Sequence, residues 1–177
     1  SAAVRRGAEG SHHCLPSGAG SGRYIGGEDP MNPQILVDAD ACPVVKETIE
    51  LGKKFQLSVC LVCDVAHHFQ FEGVEVVIVM QGADAVDYAI LNRLKPQDLV
   101  ITQDYGLAAL VLAKQGYAMN QNGRLYTEQN IDELLYSRYL SQKIRQSGER
   151  LKGPKKRTKE DTKDFKEALM KFLGSHV

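Results

Sequence analysis

Four short apolar runs stand out in the first two thirds of the chain. Each is four to seven residues long and is built largely from Val, Ile and Leu, which is typical of strands buried on both faces of a parallel sheet. These runs cover residues 35–38, 57–63, 74–79 and 99–102.

The stretches between the runs place apolar residues three and four positions apart, which indicates helices. They predict helices over residues 43–55, 84–94 and 107–114. Pro43 suits a first helical turn, where a missing N–H costs nothing, and Asp40 and Asp84 are expected to cap the first two helices. Strands that alternate with helices predict an α/β fold with a mostly parallel sheet.

After residue 116 the pattern changes. Asn122-Gly123 is a turn signal that predicts a hairpin or an edge strand. Thr127 is expected to cap a long helix, and Thr158, three residues before Asp161, resembles a capping box that starts a last helix. The core-facing residues of these two helices are predicted to be Ile131, Leu134, Leu135 and Tyr139 in the first and Phe165, Leu169 and Phe172 in the second.

The length of 177 residues predicts one domain over residues 31–177, with a basic C-terminal extension over 148–177. Residues 1–30 are rich in Gly, Ser and Ala and lack periodicity, so we expect a vector-derived or disordered leader, with Met31 as the native start. No apolar stretch has the length of a membrane span, and we expect a cytoplasmic protein that does not bind membranes.

Cys60 and Cys63 form a C-x-x-C spacing inside a predicted strand. Residues three apart on a strand point to opposite faces, so we expect two buried thiols rather than a redox or zinc motif.

Charge is distributed unevenly along the chain. Residues 31–142 hold 8 basic and 14 acidic residues, whereas residues 143–177 hold 11 basic and 5 acidic ones. The basic part is either a solvated helix or a surface that attracts a polyanion. For the second interpretation, the predicted substrate-binding residues are Lys152, Lys155, Lys156, Arg157 and Lys159.

Carboxylates recur where the predicted strands and helices meet. Asp38 and Asp40 follow the first strand, Asp104 follows the fourth, and Asp87 lies in the first turn of a helix. The carboxyl ends of parallel strands share one edge of a sheet, so these acids are expected to converge there. Carboxylates so clustered repel one another unless they are protonated or bridged by a cation.

We therefore predict a site for Mg²⁺ or Mn²⁺ formed by Asp38, Asp40, Asp87 and Asp104. Phosphate chemistry is its expected use. Thr102, beside the site, either holds a water or phosphate oxygen or is a strand residue with a satisfied hydroxyl. Glu47 is either a further ligand or part of a solvated helix face.

His67 and His68 are adjacent and invite comparison with a zinc site. Neighbouring histidines in an extended segment diverge, and no Cys or third His lies close in sequence. We expect them in a loop near the acidic crevice.

Several strings in this chain closely resemble one family. They are Val37-Asp-Ala-Asp-Ala-Cys-Pro-Val44, Val100-Ile-Thr-Gln-Asp104, Gly123-Arg-Leu-Tyr-Thr127 and Gly153-Pro-Lys155. They resemble the YaiI/YqxD family of uncharacterised bacterial proteins, also called UPF0178 or DUF188, over essentially residues 31–173. That family looks like a branch of the PIN-like nucleases.

The resemblance implies a PIN-like three-layer α/β/α fold with sheet order 3-2-1-4-5 and C-terminal helices. It also implies an acidic Mg²⁺ or Mn²⁺ site, to which Asp38, Asp87 and Asp104 would contribute as catalytic residues. Glu47 matches the PIN helix glutamate only loosely, and Asp40 belongs to this branch alone.

Three functions follow as hypotheses. The first is a metal-dependent nuclease, expected to act on single-stranded RNA, with the basic segment holding the strand. The second is a phosphatase of the haloacid dehalogenase type, because Asp38-x-Asp40 matches its motif, although Cys42 stands where that motif usually has Thr or Val. The third is a non-catalytic RNA-binding or regulatory module.

Overall fold

The part of the protein that the structure describes is a six-stranded sheet with helices on both faces. The computed structural model describes residues 32–40, 42–67, 69–148, 153 and 155–177. The strands are β1 (Ile35–Asp38), β2 (Val59–Asp64), β3 (Glu75–Val79), β4 (Leu99–Ile101), β5 (Tyr117–Met119) and β6 (Leu125–Tyr126). The helices are α1 (Val45–Lys54), α2 (Ala85–Arg93), α3 (Tyr105–Ala113), α4 (Glu128–Gln146) and α5 (Lys159–His176).

The strand order is β3-β2-β1-β4-β5-β6, and every pairing is parallel except that of β5 with β6. The predicted α/β class and the predicted order 3-2-1-4-5 are both confirmed, and the hairpin predicted at Asn122-Gly123 supplies the sixth strand. Gly123 adopts a φ of 84° in that turn. A Cβ there would lie 2.5 Å from the Cβ of Ala168 in α5, so a side chain at this position fits neither the turn nor the packing.

Alternation along the strands sends side chains into two separate cores. Ile35 and Val37 pack on one face with α1 and α5, whereas Leu36 packs on the other with α2, α3 and α4. Cys63 lies in the first core and Cys60 in the second, and neither forms a disulfide. The C-x-x-C spacing is therefore two buried strand residues, as predicted.

The capping predictions divide into two groups. Thr127 and Thr158 both form complete capping boxes, with Asn130 and Asp161 respectively. Asp84 does occupy the N-cap position of α2, but its side chain makes no capping hydrogen bond. The cap predicted at Asp40 is wrong, because α1 begins after Val44. The first helix accordingly starts at Val45 rather than at Pro43.

Tyr139 is also not a core residue. Its side chain is 51% exposed, whereas Ile131 in the same helix is 6% exposed. None of the helices that the structure describes combines the length and the apolar character that a bilayer span needs.

Candidate metal centre at the carboxyl edge of the sheet

β1 and β4 are neighbours, and their last paired residues are Val37 and Ile101. Asp38 and Thr102 follow directly, so they emerge side by side. The Thr102 hydroxyl donates a 2.9 Å hydrogen bond to Asp38 Oδ2 and accepts a 3.0 Å bond from the backbone N–H of Asp104. Because Thr102 is only 2% exposed, one buried hydroxyl connects the first strand to the start of α3.

Asp104 is the N-cap of α3. Its Oδ1 accepts hydrogen bonds from the N–H groups of Gly106 and Leu107, at 2.7 and 3.1 Å. Its Oδ2 lies 3.4 Å from an Nη atom of Arg138 in α4. One carboxylate oxygen therefore caps α3, and the other pairs with the guanidinium of Arg138.

Asp87 extends from the first turn of α2 toward the same crevice. Burial, and then the charges of Asp104, Asp38 and Asp84, raise the pKa of Asp87 to about 6, while Arg138 lowers it. Asp38 and Asp104 are therefore near enough to act on Asp87 electrostatically, but among the described residues the three do not form a group whose ligand atoms all lie within 4.8 Å of one another.

The pKa of Asp38 is also raised, first by burial and then by the charges of Asp40 and Asp104, against the lowering effect of the Thr102 hydrogen bond. Burial is the largest cause for both carboxyls and the neighbouring acids add to it, so ionising both of them in one crevice is unfavourable. A bound cation would offset the repulsion between them.

Asp40, the fourth predicted ligand, belongs to a second group of side chains. Its two carboxylate oxygens accept the backbone N–H of Asp64, at 3.0 and 3.2 Å, which explains why it does not cap α1. His67 Nδ1 lies 3.1 Å from Asp40 Oδ1 and 3.0 Å from Asp64 Oδ1. One ligand atom of each residue lies within 4.8 Å of the others. We call Asp40, Asp64 and His67 the triplet.

Asp64 was not among the predicted ligands, although it directly follows the second apolar run. His67 does lie in a loop at the crevice, as expected, whereas His68 is outside the described residues. The backbone N–H of Ala66 donates a 2.8 Å hydrogen bond to Asp64 Oδ1, so this loop folds over the end of β2.

Arg138 was missed as well. It lies in the middle of a long helix, 34 positions from the carboxylate that it contacts, and nothing local to it indicates that contact.

Three other residues near the acidic crevice are Cys42, Glu47 and Asp84. Burial, followed by the charges of Asp38 and Glu47, contributes to raising the pKa of the Cys42 thiol to about 11, so this thiol is neutral at physiological pH. Glu47 is half-buried beside Cys42 and is not one of the triplet. Asp84 adopts a φ of 59° and makes no capping bond, so capping does not account for it.

The predicted substrate-binding residues differ in exposure and in the hydrogen bonds that they make within the protein. The guanidinium of Arg157 donates to Asn122 Oδ1 and to the backbone oxygen of Gln121, both at 2.8 Å, and also to Thr162 and Asp161. Arg157 therefore anchors its segment to the β5–β6 turn. Lys155, Lys156 and Lys159 are exposed, and Lys152 lies outside the described residues.

The chemistry of the donor set fits a divalent cation. Asp38, Asp87 and Asp104 offer carboxylate oxygens, which suit Mg²⁺ and Mn²⁺. The triplet adds an imidazole nitrogen, and this donor favours a transition metal such as Mn²⁺ over Mg²⁺.

Comparison with known proteins identifies the family. The chain matches the model of "Uncharacterized BCR, YaiI/YqxD family" over residues 36–175. It is 51% identical to a UPF0178 protein of Exiguobacterium sibiricum, over 79% of this chain and 96% of that protein. It is 41% identical to a UPF0178 protein of Alkaliphilus oremlandii, over 81% of this chain and 93% of that protein. No solved structure matches. The chain belongs to the YaiI/YqxD family, whose members are uncharacterised.

Proposed function

We propose that this protein is a divalent-cation-dependent phosphodiesterase that cleaves single-stranded RNA. The observation that carries the proposal is the triplet itself, which lies where the parallel strands β1 and β2 end, with Asp40 two positions after Asp38. Metal-dependent phosphoryl chemistry uses carboxylate and imidazole donors. The carboxyl edge of a parallel sheet is also where ligands of such folds bind.

The triplet and the remaining acids have separate roles in this proposal. Asp40, Asp64 and His67 would hold a cation, with Mn²⁺ preferred. Asp38, Asp87 and Asp104 would hold a second cation or orient the attacking water. A cation bound here supplies Lewis acidity toward a phosphoryl oxygen and lowers the pKa of a bound water.

Thr102 and Arg138 position the carboxylates rather than react. The Thr102 hydroxyl donates a hydrogen bond to Asp38, which fixes the orientation of that carboxylate. Arg138 restrains Asp104 and brings a positive charge that attracts a phosphate to the crevice.

The substrate class is inferred from charge. Lys155, Lys156 and Lys159 are exposed on one short segment that Arg157 ties to the body of the protein. An anchored, positively charged segment next to an α/β core would hold a phosphate backbone without reading its bases.

The decisive experiment is a cleavage assay with a 5′-labelled single-stranded RNA and a DNA of the same sequence. Each substrate is incubated with Mn²⁺, Mg²⁺ or EDTA. We expect Mn²⁺-dependent cleavage of RNA by the wild type and its loss in Asp38→Asn and Asp64→Asn. The control Glu167→Gln removes an exposed carboxylate from α5 and should cleave normally.

The other outcomes separate the competing functions. Binding of RNA without cleavage under every metal condition would favour a non-catalytic RNA-binding module. An aspartyl phosphate trapped at Asp38 would favour a phosphatase of the haloacid dehalogenase type, because a nuclease that activates water forms no covalent adduct.

A further inference from the structure

The outer face of α4 exposes a stripe of large apolar side chains. Tyr136 is 63% exposed, Tyr139 51% and Leu140 42%. They are three and four positions apart and therefore share one face of the helix. The opposite face carries Ile131, which is buried against the core shared with α3. The helix thus has a packed side and an uncovered apolar side.

Charges of opposite sign flank this stripe. Asp132 lies one turn before Tyr136, and Lys143 lies one turn after Tyr139, with its Nζ 5.6 Å from the Tyr139 ring centroid. In the part of the chain that the structure describes, neither Asp132 nor Lys143 is in an ion pair. We call Asp132, Tyr136, Tyr139, Leu140 and Lys143 the outer stripe.

We propose that the outer stripe is a dimerisation surface whose partner is a second copy of this chain, bound antiparallel about a two-fold axis. With the axis beside Ser137 and Arg138, Tyr136 of one copy meets Tyr139 of the second copy. The same axis brings Asp132 of one copy to Lys143 of the second copy, twice by symmetry. The stripe is therefore complementary to itself in charge and in the order of its tyrosines.

The charge arrangement selects this geometry over the alternatives. A parallel pairing would place Lys143 against Lys143 and Asp132 against Asp132, and like charges across an interface are repulsive. A nucleic-acid strand along the stripe would stack on the tyrosines but would meet the carboxylate of Asp132. Arg138 takes no part, because its guanidinium contacts Asp104 on the crevice side.

The dimer should be reversible. Stable interfaces bury roughly 1,200–2,000 Å² in total, and a single helical stripe is small by that standard. Sedimentation velocity of the full chain over a wide concentration range should show monomer converting to dimer. The double variant Tyr136→Ala/Tyr139→Ala should remain monomeric at every concentration. Tyr88→Ala removes a tyrosine of α2 that is 69% exposed, and this matched control should dimerise like the wild type.

Charge exchange tests the pairing itself. Asp132→Lys and Lys143→Glu should each weaken the dimer by tenfold or more, because each creates two like-charge contacts. The variant with both substitutions should recover dimerisation. Circular dichroism melts at a concentration where all variants are monomeric should show equal melting temperatures, which separates loss of the interface from loss of the fold.

A wild type that stays monomeric throughout, or a dimer that the stripe variants leave intact, would overturn the proposal. If the wild type is monomeric and the Tyr136→Ala/Tyr139→Ala variant binds RNA more weakly than the wild type, the proposal is also overturned. That result would make the outer stripe a nucleic-acid-binding surface. The result is independent of the cleavage assay, since no residue of the outer stripe lies in the crevice.

Discussion

Thr102 and Asp38 are 64 positions apart in the chain, yet the Thr102 hydroxyl donates a 2.9 Å hydrogen bond to Asp38 Oδ2. The same oxygen of Thr102 accepts the N–H of Asp104. A hydroxyl that both donates and accepts fixes two acids of the crevice relative to each other, and this arrangement depends on β1 and β4 being adjacent.

Replacement of Thr102 tests that link. Thr102→Val keeps the shape but leaves the Asp104 N–H without its acceptor and Asp38 without its donor, so we expect a loss of roughly 1–3 kcal/mol of unfolding free energy. Thr102→Ser keeps the hydroxyl and should lose less. Urea denaturation measures both variants, and equal stability of the Val and Ser forms would contradict the argument.

Divalent cations should stabilise the folded protein, because a ligand that binds only the native state raises its stability. At a concentration near 100 times Kd, Mn²⁺ should contribute about 2.7 kcal/mol, which is roughly 5–10 °C in Tm for a chain of this size. Asp64→Asn and His67→Ala should lose most of this increase, whereas Glu167→Gln should retain it. Differential scanning fluorimetry with and without EDTA measures the increase in Tm. If both variants keep the full increase in Tm, the cation binds elsewhere.

Stability should depend on pH through Asp87. Because burial and neighbouring acids raise its pKa to about 6, ionisation is unfavourable in the folded state. The contribution of Asp87 to the stability of the wild type should therefore fall as the pH rises from about 4 through 6, where the unfolded carboxyl is already ionised. Asp87→Asn should escape this loss, so its Tm advantage in EDTA should grow between pH 4 and pH 7. A constant Tm difference across this range would refute the raised pKa.

The basic segment should contribute to RNA binding through phosphate contacts. Each neutralised phosphate of a single strand adds about 0.7 to the slope of log affinity against log salt. Lys155→Gln/Lys156→Gln/Lys159→Gln should therefore reduce that slope by about 2, whereas Lys171→Gln, an exposed lysine of α5, should change it less. Fluorescence anisotropy of a labelled single-stranded RNA measures both slopes, and an unchanged slope in the triple variant would make the segment a solvated surface.

Arg157 should behave differently from these lysines. Its guanidinium donates four hydrogen bonds within the protein, so Arg157→Gln should cost about 1–3 kcal/mol of stability. Urea denaturation measures that cost. A variant that is as stable as the wild type but has a reduced salt slope would show that Arg157 contacts phosphate instead.

The sequence by itself determined the elements and their order. Apolar runs and helical periodicity are local patterns, so the bounds of β1 and the start of α5 were predicted correctly. The caps at Thr127 and Thr158 were predictable because each capping partner lies only three residues away. The strand order was predicted from the family resemblance. The alternation of side chains along a strand predicted that Cys60 and Cys63 face opposite cores.

The tertiary structure alone decided which carboxylate oxygens are used and which partners they have. Asp40 was predicted to cap α1, but the backbone N–H of Asp64, 24 positions away, takes both of its oxygens. Arg138 and Asp104 meet only because α4 packs against α3. A local pattern specifies where a side chain lies on its own helix or strand. Which distant donor reaches that side chain depends on how the helices and strands pack, so the division of the acids between the triplet and the rest of the crevice required the folded structure.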